Sequence, residues 1–187
     1  MTYFDKFNSN VSDPQDSYER RVSYLKTEKK FNTKPIEDGI SSCVENIEKK
    51  EKSFVIYGEP QSGKTEVMIA LTCKLVDLGF KTIFIVMNDN TELEEQNFER
   101  FLACQQLNPS PVRQFDIAGM EEYQRKQEQT RVIFCRKNAV NLRNLIRDVR
   151  FMGKRAVIDD EADYASPDNK IKKDQEQSKI NKLLAEL

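Results

Sequence analysis

Gly58, Gly63, Lys64 and Thr65 stand in the order G-x-x-x-x-G-K-[ST] within Gly58-Glu59-Pro60-Gln61-Ser62-Gly63-Lys64-Thr65. That order suits the gripping of linked phosphates. The two glycines let the backbone turn tightly and approach phosphate oxygens with no Cβ in the way. Successive backbone N–H groups form an anion-binding nest at the start of the next helix, whose dipole also favours negative charge. The Lys64 ammonium can reach the outer phosphates, and the Thr65 hydroxyl can sit on Mg²⁺. Gly58, Glu59, Pro60, Gln61, Ser62, Gly63, Lys64, Thr65 and Glu66 are therefore the expected nucleotide-binding positions. Far downstream, the apolar run Arg155-Ala156-Val157-Ile158-Asp159 delivers Asp160-Glu161-Ala162-Asp163. Phosphoryl transfer from a magnesium nucleotide needs a carboxylate at a strand end for the metal shell and a group that orients the attacking water. Asp160, in preference to Asp159, suits the first role and Glu161 the second. Thr65 and Asp160 are thus the expected metal residues, and Lys64 and Glu161 the expected catalytic ones.

These groups need elements to carry them. Phe54-Val55-Ile56-Tyr57 predicts a strand running into the glycine loop, and Glu66 to Val76 has the apolar spacing of a helix. Asp77-Leu78-Gly79 stops that helix, with Gly79 suited to a left-handed cap. Lys81–Met87 is a continuous apolar run, as expected of a parallel strand covered on both faces. Asn88–Asn90 predicts a turn, and Thr91–Gln106 a helix with Leu93, Phe98, Phe101 and Leu102 inward. Asn108–Gly119 reads as a loop and Met120–Gln129 as a polar helix. Thr130–Cys135 is a third strand, Asn138–Met152 a helix burying Leu142, Leu145, Ile146 and Val149, and Arg155–Asp159 a fourth strand. Upstream, Pro14–Lys30 predicts a charged helix. Thr33, or its neighbour, caps a second helix that carries Ile36, Ile40, Val44 and Ile47 on one face. Alternating strands and helices of this kind predict an α/β fold, a parallel sheet with helices on both faces. The expected divisions are an N-terminal arm and helix (1–32), a nucleotide-binding domain (33–165), and a polar loop with a C-terminal helix (166–187).

Composition narrows the function classes. The chain has 187 residues, 38% apolar and 33% charged, with a formal net charge of −1. That balance argues against a general polyanion binder but leaves room for a local basic patch. The absence of histidine removes Ser–His and Cys–His nucleophile pairs. Cys43, Cys73, Cys104 and Cys135 are far apart and read as buried small hydrophobes in a reducing compartment. The N-terminus is too polar for a signal peptide, and no apolar run approaches the ~18–20 residues of a membrane span. A cytoplasmic location is expected.

Asp160-Glu161-Ala162-Asp163 is the D-E-A-D signature of superfamily 2 helicases. The chain, from about Pro35 to Asp163, resembles the first RecA-like motor domain of a divergent DEAD-box-like helicase or translocase. It is more loosely similar to the ATPases of bacterial and phage restriction or defence systems, whose motor strands also read D-D-E-A-D. The resemblance implies a three-layer P-loop fold with an N-terminal helical arm, and ATP and Mg²⁺ as cofactors. Asn90-Thr91-Glu92-Leu93-Glu94-Glu95-Gln96 stands where the family carries T-R-E-L-A-x-Q, and Arg136-Lys137-Asn138 where it carries T-P-G-R. Both motifs touch nucleic-acid backbones in the family, so DNA or RNA is an implied partner. Here Thr91 replaces the arginine and T-P-G-R is missing, which weakens those contacts. Pro35-Ile36-Glu37 resembles the adenine-reading P-I-Q, but Glu37 cannot donate to adenine N7.

Arg143, Arg147 and Arg150 form a basic stripe at helical spacing that could track phosphates, with Arg147 and Arg150 read rather as a solvated face; Lys137, at a strand end, is balanced between a structural and a phosphate-binding role. The later strands of the family and its second RecA-like domain, the source of arginine fingers, have no counterpart here. The chain alone is therefore expected to bind ATP, hydrolyse it very slowly if at all, and bind nucleic acid weakly. A rival expectation is a nucleotide-binding module that acts through protein partners without helicase activity.

Overall fold

The computed structural model describes residues 16–58, 63–118, 130–148, 154–162 and 179–187. Its centre is β1 (Thr82–Met87), buried at every position. Around it, β2 (Val112–Arg113), β3 (Arg131–Arg136) and β4 (Arg155–Asp159) complete a sheet of order β2-β3-β1-β4. Every pairing is parallel. Because strand side chains alternate between faces, β1 sends Ile83, Ile85 and Met87 into one core and Phe84 and Val86 into another.

The first core is covered by α1 (Ser17–Thr27), α2 (Lys34–Glu48), α3 (Lys64–Asp77) and α4 (Thr91–Leu102). Phe134 of β3 meets Phe98 and Phe101 of α4 edge to face, with centroids 5.2 and 4.9 Å apart. The second core is covered by α5 (Gln114–Ala118), α6 (Ala139–Asp148) and α7 (Lys179–Glu186) through Ile117, Leu142, Leu145, Leu183 and Leu187. The result is a three-layer α/β architecture. All four cysteines are buried and free.

α3 is apolar on nearly all sides because the sheet covers one side and α1 and α2 the other. α1 grips it at both ends. Asp77 accepts hydrogen bonds from the Ser17 and Tyr18 amides at 3.1 and 2.9 Å, supplying α1's free N–H groups with an anion. At the other end Arg21, almost fully buried, pairs with Glu66 at 2.5 Å. Gly79, with φ of 77°, closes α3 in the left-handed conformation its sequence position predicts.

Several sequence expectations are corrected. Phe54–Tyr57 is not a strand: it pairs with none among the described residues, and Val55 and Tyr57 are 85% and 87% exposed. Apolar composition alone did not suffice, because a strand needs a ladder partner and a covered face. The expected loop after Asn108 contains β2 and α5 instead. α4 stops at Leu102, and Leu93 and Leu102 point outward while Phe98 and Phe101 point in. Thr33 stands at the N-cap of α2 as expected, although its side chain does not cap it. Its hydroxyl donates to Glu37 at 2.6 Å, and Asn32 Oδ1 accepts from the Lys34 amide at 3.2 Å. The expected helix at Met120–Gln129, and Val149 and Arg150, lie outside the described residues.

Candidate nucleotide site

Glu59, Pro60, Gln61 and Ser62 also lie outside the described residues, so the glycine loop is seen from its two ends. Gly58 is half-buried at the end of the extended Ser53–Gly58 segment. Gly63 has φ of 81° and forms the N-cap of α3, with its carbonyl accepting from the Glu66 and Val67 amides at 2.8 and 3.2 Å. Only a residue without a Cβ takes that φ freely. Lys64 is thereby set as the first helical residue, exposed, with the first-turn N–H groups of α3 around it. The half-buried Thr65 hydroxyl donates to Asn97 Oδ1 at 2.9 Å and accepts from Arg100 at 3.1 Å, both on α4. Glu66 is committed to Arg21.

Opposite, β4 ends in a turn, Asp160–Ala162. The Asp160 amide extends the sheet by donating to the Val86 carbonyl at 2.9 Å. Lys137, which follows β3, has a fully buried side chain. Its ammonium pairs with Asp159 at 2.6 Å and donates to the carbonyls of Asp160 and Glu161 at 2.9 and 3.0 Å. The ammonium is held by two carbonyls and one carboxylate. Lys137 thus belongs to the acidic turn, which resolves its sequence reading in favour of structure. Glu161 adopts φ of 52°, a left-handed conformation that costs a non-glycine residue on the order of 1–3 kcal/mol. The Lys137 bond to its carbonyl helps to offset that cost. The exposed Glu161 carboxylate accepts from the Asn88 amide at the end of β1.

Electrostatics tie the two halves together. Burial raises the Asp160 carboxyl above the usual carboxylate range, and the like charge of Glu161 adds to this. The Glu161 amide, the Lys137 charge and the Lys64 charge act in the opposite sense. Lys64 is therefore within electrostatic reach of Asp160, although they come from distant parts of the chain. Among the described residues no group of three or more metal-ligating side chains converges.

The motif segments implied by the resemblance are largely occupied within the chain. Asn90 caps α4 by accepting from the Glu92 and Leu93 amides. Arg136 pairs with Glu94 at 3.0 Å, approaches Asp89 at 3.9 Å and donates to Thr91 at 3.3 Å. Asn138 donates to Asp89 at 3.2 Å and accepts from the Asn141 amide at 2.9 Å. Sequence reasoning missed Asn88, Asn97, Arg100 and Arg21. Asn88 had a usable signal, since it directly follows the central apolar strand at the end where ligands gather. The others touch the site from helices distant in sequence, and no local pattern marks them.

The fold is that of a RecA-like P-loop domain. Residues 30–184 match the family described as "Type III restriction enzyme, res subunit", and the chain belongs to that family. It is a helicase-like superfamily 2 ATPase motor domain. No curated protein and no solved structure matches the chain significantly. No helix among the described residues is long and apolar enough to cross a membrane.

Proposed function

We propose that the chain binds ATP·Mg²⁺ and serves as the nucleotide-binding half of a nucleic-acid-dependent ATPase. The reading is supported by the Gly63–Thr65 helix start and the Lys137-braced Asp160–Glu161 turn, with the Lys64 charge acting on the Asp160 carboxyl. In this reading Gly58–Glu66 wraps the phosphates and Lys64 neutralises them. Thr65 and Asp160 would hold the magnesium ion, whose charge stabilises the transferring phosphoryl group when bound. Glu161, steadied by Asn88, orients the water.

The Thr65 hydroxyl donates to Asn97 and accepts from Arg100, which leaves it one lone pair for a metal. The wider assignments also belong to this reading: a domain over 33–165, a cytoplasmic protein, and DNA or RNA as the activating partner. Calorimetric titration of ATP·Mg²⁺ into the chain and into Lys64→Ala tests it. Removing a charged donor to phosphate should weaken binding roughly tenfold to more than a hundredfold. Equal affinities would remove Lys64 from the site and sink the reading. The alternative, a binding module without nucleic-acid dependence, is favoured by the internal pairing of Arg136 and Asn138. Its signature would be turnover that DNA and RNA leave unchanged.

A further inference from the structure

A buried polar cluster lies between α3 and the end of α4, and the nucleotide reading makes no use of it. Cys73, on α3, and Cys104, just after α4, come from separate elements and meet inside the first core. Cys73 is fully buried and Cys104 nearly so. The Cys73 thiol donates a hydrogen bond to the Cys104 sulfur. Gln106 Oε1 stands beside them, accepting from the Cys104 thiol at 3.6 Å and from the Arg21 guanidinium at 3.2 Å.

A cation and an asymmetry set this pair apart from ordinary core thiols. Arg21 is only 6% exposed, and its Nε is buried with no hydrogen-bond partner. Burial works against the Arg21 charge, and the Cys104 sulfur is the strongest influence in its favour, ahead of Glu66. A buried guanidinium with an open N–H beside a sulfur stabilises the thiolate. The hydrogen bond from Cys73 brings the Cys104 thiol down to about 7; burial opposes this and the Arg21 charge adds to it. The same bond, together with burial, pushes the Cys73 thiol up. One sulfur is thus set to ionise while its neighbour keeps its proton. Burial raises Cys43 and pushes Cys135 up to about 12, so neither supplies a thiolate near neutral pH. Cys104 sits between the exposed residues Ala103 and Gln105, so a small opening admits a water-sized oxidant.

We propose that Cys104 and Cys73 form a peroxide-sensitive dithiol site, with Cys104 the attacking thiol and Cys73 the resolving one. The Cys104 thiolate attacks one oxygen of hydrogen peroxide. The S–O bond forms, the O–O bond breaks, and the departing hydroxide leaves as water with the proton that Cys104 gave up. Cys73 then attacks the sulfenic sulfur. The S–S bond forms, the S–O bond breaks, and hydroxide leaves as water with the Cys73 proton. Two thiols and one peroxide give one disulfide and two waters, and the two electrons lost by the sulfurs pass to the peroxide oxygens. Both thiols are free at rest. The cross-link would join α3, whose first turn carries Lys64 and Thr65, to the end of α4, whose Asn97 and Arg100 hold the Thr65 hydroxyl. It stands independently of the nucleic-acid reading.

The test is graded hydrogen peroxide on the native full chain, followed by alkylation of free thiols and peptide mapping by mass spectrometry. Wild type should lose two of its four thiols and yield one cross-linked pair, Cys73 with Cys104, that dithiothreitol reverses. Below about pH 7 the rate should fall about tenfold per pH unit, since the thiolate is the attacking species. Cys73→Ala removes the resolving thiol and should leave Cys104 as a sulfenic acid that dimedone labels. Cys104→Ala should leave Cys73 unreacted at the same peroxide level. Melting curves show whether the alanine variants fold, and the wild-type map decides the matter where they do not. Four intact thiols at peroxide levels that already oxidise methionine would overturn the proposal. So would a disulfide that engages Cys43 or Cys135 in place of this pair, or a cross-link that forms only in denaturant.

Discussion

Asp159–Glu161 leaves a strand that is hydrogen-bonded to β1 and braced by a buried lysine. Ser53–Gly58, which leads into the phosphate loop, has no ladder partner among the described residues and exposes Val55 and Tyr57 to solvent. The outer edge of β4 likewise has no strand partner among the described residues. The two sides of the candidate site therefore draw on different sources of order. The acidic side is held by the sheet and by an internal ion pair. The phosphate side is held from behind, through α3, whose buried face and Arg21–Glu66 contact fix where Gly63 and Lys64 begin. A site built this way presents rigid carboxylates and a fixed helix start, with the entering backbone tied down least.

The largest expected effect lies on the acidic side. Glu161→Gln keeps the size of the side chain and can still accept from Asn88, but it is a far weaker base. Turnover, followed by phosphate release under nucleic-acid stimulation, should fall by at least about 10²-fold, the lower end of general-base effects. ATP affinity should be kept. Collapse of affinity with turnover per bound nucleotide unchanged would make Glu161 a metal-shell residue.

Next comes Lys137→Met, which leaves the Asp159 carboxylate buried without its partner. Breaking a buried pair from one side costs about 3–5 kcal/mol, or on the order of 10 °C in melting temperature for a domain of this size. Lys137→Met with Asp159→Leu should recover much of the loss. A single variant that melts like wild type would show that the brace is dispensable and that the two sides are alike.

This contrast explains what the sequence disclosed. The parallel α/β class, β1, β3 and β4, and helices at α1 to α4, α6 and α7 follow from apolar runs and three- and four-residue periodicity, which are local signals. Gly63, Gly79 and the acidic strand end were legible for the same reason: each residue type answers to its own backbone. Phe54–Tyr57 was read as a strand on those local grounds and is unpaired, because pairing depends on a neighbour that composition does not specify. Val112–Arg113 was read as a loop and pairs with β3, since a two-residue strand is too short for any periodicity to register. Lys137, after a strand, was evenly balanced between a structural and a phosphate-binding role. Its burial is set by β4 alongside β1, a contact no spacing within the chain encodes. Leu93 and Leu102 were assigned inward from a helical wheel, but the sheet covers only the Phe98–Phe101 side of α4.

A smaller effect tests whether the acidic side carries stored cost. The Asp160 pKa is raised in the folded chain, so its contribution to stability is present below the unfolded carboxylate range and is lost as pH rises through the folded value. At neutral pH the ionised side chain therefore opposes folding. Asp160→Asn should raise the melting temperature of the nucleotide-free chain. The same variant should make ATP binding insensitive to Mg²⁺ in calorimetric titration. A lower melting temperature would mean that Asp160 supplies a structural contact and that its side of the site stores no such cost.

The smallest effect is expected on the phosphate side, at Val55. An 85% exposed valine that pairs with no strand buries little surface, so replacing it with lysine removes almost nothing from the core. Surface substitutions away from special features stay within about ±0.5 kcal/mol, here under about 2 °C in melting temperature. If Phe54–Tyr57 instead lay against the open edge of β4 in solution, Val55 would be covered on at least one face. Inserting a charge there would then desolvate an ammonium, and the loss would approach that of other buried-charge substitutions. Thermal melts of Val55→Lys and wild type, run side by side without nucleotide, separate these cases. A near-zero shift keeps the entry segment apart from the sheet. A loss of about 2 kcal/mol or more would place it in the sheet beside β4 and erase the difference in build between the two sides of the site.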